Sequence, residues 1–106
     1  MNAAELRATA GEAPPSGLDA ALQALWWLAR GAWERAHDCV QAHEGQARCD
    51  WVHAHLHRVE GDAGNARYWY RRAGCPVASG APEAEWTQIA EALLRATGTA
   101  SSRRQG

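Results

Sequence analysis

The chain has 106 residues, 46% of them hydrophobic, and a formal net charge of −1 at pH 7. That length makes one domain, which hides roughly two-thirds of its unfolded surface, and the near-neutral balance excludes a global field for nucleic acid or an anionic membrane. Ala is the commonest residue, six Trp stand beside no Phe, and every basic residue is Arg, so helix is favoured before any pattern is read.

Taken in chain order, Asn2–Ala10 can form a short helix but buries little, and Gly11–Gly17 breaks it with Pro14 and Pro15. Residues 1–17 therefore read as a flexible arm, and the absence of an apolar run near Glu5 and Glu12 argues against an export signal. The first firm helix is expected from Ser16, whose hydroxyl can cap while Asp19 completes a capping box. Leu18, Ala21, Leu22, Leu25, Trp26, Leu28 and Ala29 follow the spacing of one buried face, and Gly31 ends it. The strongly apolar run Ala24–Ala29 is far too short to span a bilayer.

A second helix over about 32–43 buries Trp33, Ala36 and Val40 and stops at Gly45. A third over about 46–60 has its apolar stripe at Cys49, Val52, Leu56 and Val59. Asp62 can cap a fourth over 63–73, with Ala66, Trp69, Tyr70 and Ala73 inward. That helix ends on Arg71 and Arg72, with Gly74 at a left-handed position and Pro76 beyond. Pro82 opens the last, where Glu83 and Glu85 suit the positive end of the helix dipole, and Trp86, Ile89, Ala90, Leu93 and Leu94 face inward up to Gly98. Residues 99–106 are small and polar and read as a disordered tail. No segment alternates with period two, so the fold class is all-α.

The central segments repeat every thirty residues: Gly31 aligns with Gly61, Ala36 with Ala66, and Val40 with Tyr70. Such a period marks stacked helix-turn-helix units. Gly61-Asp62, Ala66, Tyr70, Ala73 and Pro76 look like the second half of a tetratricopeptide repeat. The run Ala66–Gly74 resembles the second helix of a Sel1-type repeat more closely still. The segment Leu56–Pro76 is also similar to a family of small uncharacterised bacterial helical proteins with an LHR-EGD-NA-YWYRRAG pattern. These resemblances cover about residues 18–76. They imply two stacked antiparallel helical hairpins of tetratricopeptide/Sel1-like type plus a C-terminal capping helix, a single domain over 18–98.

Several residues exceed what a hairpin needs. Cys49, His53 and His57 lie along one side of a helix, and two His at i, i+4 can chelate a metal, with His37, Cys39 or Glu60 to complete a site. The bland alternative is an interface hydrogen-bonded to the facing helix, and without HExxH, CxxC or clustered carboxylates no metal or cofactor is expected. Folding about Gly61 places His57 opposite Asn65, Ala54 opposite Tyr68, and Asp50 near Arg72. That arrangement makes either an internal polar network or a recognition patch of His57, Arg58, Tyr68 and Arg72, whose Arg forks suit a carboxylate or phosphate. Trp51, beside His55 and Arg58, and Trp27 are either core or partly exposed anchors. Cys39, Cys49 and Cys75, an odd number without CxxC spacing, fit reduced thiols in a cytoplasmic protein.

The function expected is a non-catalytic protein-interaction module, bound to a protein partner or to itself as a homodimer, with no nucleic acid and no membrane. Its candidate binding residues are His57, Arg58, Tyr68, Arg72, Trp51, His55 and Asn65. The alternative is a small-molecule or anion-binding domain using His57, Arg58 and Arg72. An enzyme with His53 or His57 as acid/base ranks last, because no recognised catalytic arrangement accompanies them.

Overall fold

A computed structural model describes the backbone of residues 1–105 and the side chains of residues 1–96. Six helices follow one another: α1 (Ala3–Ala8), α2 (Ala20–Ala29), α3 (Trp33–Gln41), α4 (Ala47–Glu60), α5 (Ala63–Ala73) and α6 (Pro82–Gln105). No strand occurs among the described residues, and none of their helices is long and apolar enough to cross a membrane. Helix α6 continues past Gly98, where it is expected to end, as far as Gln105; of the tail expected over 99–106, residue 106 lies outside the described backbone and no side chain is described.

Local chemistry sets the boundaries. Asp19, not Ser16, caps α2: its Oδ1 accepts from the Leu22 amide at 3.0 Å, because Gly17 turns the chain between the two. Asp62 caps α5 through the Asn65 amide at 3.2 Å. Gly61 and Gly74 close α4 and α5 at φ 93° and 74°, a left-handed backbone that costs any residue with a Cβ about 1–2 kcal/mol.

Helix α2 packs on α3, α3 on α4, and α4 on α5, while α6 lies across α4, α2 and α1. Leu25, Trp26, Val40, Val52, Leu56 and Ile89 fill the main core from α2, α3, α4 and α6. A smaller apolar cluster of Ala54, Ala66, Trp69 and Tyr70 joins α5 to α4. Two indoles are tied across elements, Trp86 Nε1 donating to the Leu25 carbonyl at 3.0 Å and Trp33 Nε1 to the Leu56 carbonyl at 2.8 Å. Val59, expected on the buried stripe of α4, is 42% exposed. The inward face of α4 ends at His57, and the last turn passes beyond its neighbours.

The expectation that the N-terminal segment buries little is corrected. Leu6 is wholly buried in the main core and Ala3 nearly so. Asn2 and Glu5 form a reciprocal capping box at the start of α1, and the Arg7 guanidinium lies 4.1 Å from the centre of the Trp86 ring. Six residues are too few for periodicity to reveal such a face. Leu6→Ala is expected to cost about 2 kcal/mol in urea unfolding, the low end for a core leucine, because a short terminal helix can undock rather than hold a cavity open.

Candidate functional site

Helix α4 carries the polar interior. Its 3.6-residue turn stacks His53 and His57 on one side, and the turn at Gly45 folds α3 back so that His37 meets them. His37 Nε2 and His53 Nε2 are 3.1 Å apart. The His57 ring lies 5.0 Å from that of His53 and 5.3 Å from that of His37. Two indoles wall the group: Trp33 stacks on His37 at 4.9 Å, and Trp69 stacks on His53 at 3.9 Å. Glu60 Oε2 holds His57 Nδ1 at 2.7 Å.

His53 is 2% exposed, and its Nδ1 has no hydrogen-bond partner among the described residues. Burial first, then the neighbouring His37 and His57, pull its pKa down to about 4. Burial and His57 also lower that of His37, against the opposing pull of Asp38, Glu60 and Glu44. Near neutral pH His53 is therefore an uncharged imidazole with a lone pair available.

A second polar node sits between α4, α5 and α6. Glu85, 4% exposed, accepts from Arg58 Nη1 at 2.9 Å, lies 2.7 Å from His55 Nδ1, and receives the Tyr70 hydroxyl on its other oxygen. Arg58 also donates to the Gly80 carbonyl. Burial pushes the Glu85 carboxyl up, but the hydrogen bonds from His55 and Tyr70, the His55 charge and the Arg58 hydrogen bond outweigh it and hold the group below the usual carboxylate range. Burial and the hydrogen bond to Glu85 raise the Tyr70 phenol. The node spends its donors on internal acceptors.

Comparison of the chain with protein-family models, curated proteins and solved structures finds no match.

The seven candidate residues do not converge on one patch. His55 and Arg58 join Glu85, and His57 joins the histidine group. Asn65 belongs to the α5 cap, its Nδ2 reaching Asp62 Oδ2 at 3.4 Å. Trp51 is half-buried beside an open cavity of about 450 Å³ bordered by Cys75, Pro76 and Val77. Tyr68 and Arg72 stay together on the outer face of α5, where Arg72 Nη1 donates to the Tyr68 hydroxyl at 2.8 Å and its guanidinium lies over the Tyr68 and Trp69 rings.

The expected pairing of Asp50 with Arg72 is not formed: buried Asp50 turns to the α3–α4 connection and accepts from the Gly45 amide at 3.1 Å. His57 meets Glu60 rather than Asn65, and Ala54 packs with Ala66, Trp69 and Tyr70, leaving Tyr68 outside. Glu85 was missed altogether, since its position in the first turn of α6 already had a sufficient explanation in the helix dipole. The three thiols are all pushed up by burial, Cys49 to about 11, with Asp38 adding to the rise at Cys39 and Glu85 at Cys75, which makes each a poor nucleophile.

Proposed function

We propose that the chain is a non-catalytic interaction module of the tetratricopeptide/Sel1-like class, and that its partner surface is the outer face of α5. One observation carries this: Tyr68 is 43% exposed beneath Arg72, with Arg67 and Arg71 exposed beside them and no ion pair to either among the described residues. Helix α5 contains three Arg and no acid. An acidic protein segment is the partner that such a face suits, its carboxylates taking the guanidinium forks and an apolar residue lying against Tyr68.

The thirty-residue spacing and the docking of α3 on α4 support a stack of two hairpins. The packing of α6 on α4, α2 and α1 supports its role as the closing helix. The raised thiols favour a non-catalytic reading over cysteine chemistry. The anion-site alternative on His57, Arg58 and Arg72 is weaker, because Arg58 is committed to Glu85 and His57 to Glu60. Self-association through the Trp27/Trp51 surface is also weaker, since the Arg35 guanidinium lies 4.6 Å from the centre of the Trp27 ring and Trp51 is half-buried.

The test is fluorescence anisotropy with a labelled peptide of alternating Asp/Glu and Leu, against a neutral peptide of equal length. Salt-sensitive binding is expected, weakened at least about tenfold by the double change Arg71→Glu and Arg72→Glu, since a hydrogen bond to a charged group contributes about 1.5–3 kcal/mol. Both side chains are on the surface but sit in the last turn of α5, so each reversal should cost about 1 kcal/mol of stability and leave the chain folded, which circular dichroism checks. Equal affinity for the neutral peptide, or for the variant, sinks the reading.

A further inference from the structure

We propose that His37, His53 and His57 form a binding site for a divalent transition-metal ion of the zinc class, which staples α3 to α4. The inference is independent of the α5 face. One ring nitrogen from each of the three residues lies within 4.8 Å of one from each of the others. Tetrahedral zinc, with Zn–N bonds of about 2.0–2.1 Å, keeps its nitrogens about 3.4 Å apart. The His37–His53 pair is already near that spacing at 3.1 Å, and His57 offers a nitrogen within 4.8 Å of both.

An interior of hydrogen-bonded histidines explains the group less well. Between the three imidazoles there is a single hydrogen bond, from Nε2 to Nε2 of His37 and His53, beside the one that His57 makes with Glu60. A cation gives the cluster a reason to exist. The supporting contacts are those a metal site needs: Glu60 fixes His57 through Nδ1, so that Nε2 is its free nitrogen, and a carboxylate behind a ligating imidazole both orients it and raises its basicity. Trp33 and Trp69 hold the other two rings by stacking.

Coordination uses a lone pair on the inward nitrogen of each neutral ring. With the His53 proton on Nδ1, His37 Nε2 donates the His37–His53 hydrogen bond, and on coordination that proton moves through solvent to Nδ1 of the half-buried His37, so binding releases no net proton. An all-imidazole set suits Zn²⁺, Co²⁺, Ni²⁺ or Cu²⁺ and not Mg²⁺ or Ca²⁺. Three protein nitrogens leave the fourth tetrahedral place to water.

The experiment is calorimetric titration of untagged full-length chain with Zn²⁺ near neutral pH, with Mg²⁺ as a control, followed by visible spectroscopy of the Co²⁺ form. One Zn²⁺ per chain is expected, with a raised thermal midpoint and a tetrahedral Co²⁺ spectrum lacking a thiolate charge-transfer band. His37→Ala removes a ligand at a half-buried position and should lose at least about 100-fold in affinity, while Glu60→Gln, behind a ligand, should lose about tenfold. His57→Gln keeps a hydrogen-bonding side chain and gives a second route if His37→Ala folds poorly by circular dichroism. No stoichiometric Zn²⁺ binding, undiminished binding in the folded histidine variants, or a thiolate band from Cys39, Cys49 or Cys75 would each overturn the site.

Discussion

Glu85→Ala is expected to lower the folding free energy by about 3 kcal/mol, the low end for breaking a buried pair, because the cation left without its partner is only half-buried while the two other groups are buried. Three groups lose their acceptor at once: His55 and Tyr70, both buried, and the half-buried Arg58. Urea unfolding monitored by tryptophan fluorescence measures it. Tyr70→Phe removes one hydroxyl and should cost about 1 kcal/mol. In the Glu85→Ala background the same change should cost much less, because the acceptor of the hydroxyl proton has already gone. Acid provides an independent reading. Glu85 is held below the ordinary carboxyl value of 4.5, so its stabilisation is complete above that value and is lost as pH falls through the folded-state pKa. A loss below about 1 kcal/mol would reduce the node to the level of a surface ion pair.

The second large effect lies at higher pH. With the ordinary imidazole near 6.5 and His53 held at about 4, the unfolded chain takes up a proton that the folded chain refuses. Stability is therefore full above pH 6.5 and declines as pH drops towards 4, by about 3 kcal/mol at about 1.4 kcal/mol per unit. The groups facing His53 are His37 from α3, His57 from its own helix, Trp69 from α5 and, one residue further out, Glu60. Unfolding in urea with a chelator present, from pH 7 to pH 4, tests the slope without a metal contribution. His53→Gln should remove most of it, leaving the share of His37, which is also lowered, while Glu85→Ala should leave it in place. An undiminished slope in His53→Gln would assign the proton uptake elsewhere.

Helix identity was legible wherever local signals agreed. For α5, Asp62, Gly74 and Pro76 punctuate both ends, and the structure places the helix over the predicted residues. For α1, six residues hold only Leu6 as a large apolar side chain, and its burial depends on α6, some eighty residues later. The polar interior divides the same way. His53 and His57 share a side by spacing alone, and Tyr68 and Arg72 pair at i, i+4. His37 joins only through the fold of the α3–α4 connection. Glu85 draws its partners from 15 to 30 positions away, a distance over which no periodicity speaks. The Asp50–Arg72 pairing does not form for a related reason: facing helices do not by themselves join opposite charges, and the Gly45 amide takes the Asp50 carboxylate.

Helix α4 touches α2, α3, α5 and α6 and buries every side chain from Val52 to His57. A helix so enclosed usually presents hydrocarbon all round and can settle in several rotations at similar cost. This one cannot. Turning it by one residue, about 100°, would carry His55 away from its carboxylate, His53 away from its indole, and Asp50 away from the amide it accepts. Each lost contact would leave a polar group facing carbon. Its histidines and aspartate thus work like the teeth of a key, giving the central helix one azimuth in which it can be inserted and so fixing which side chains every other helix meets.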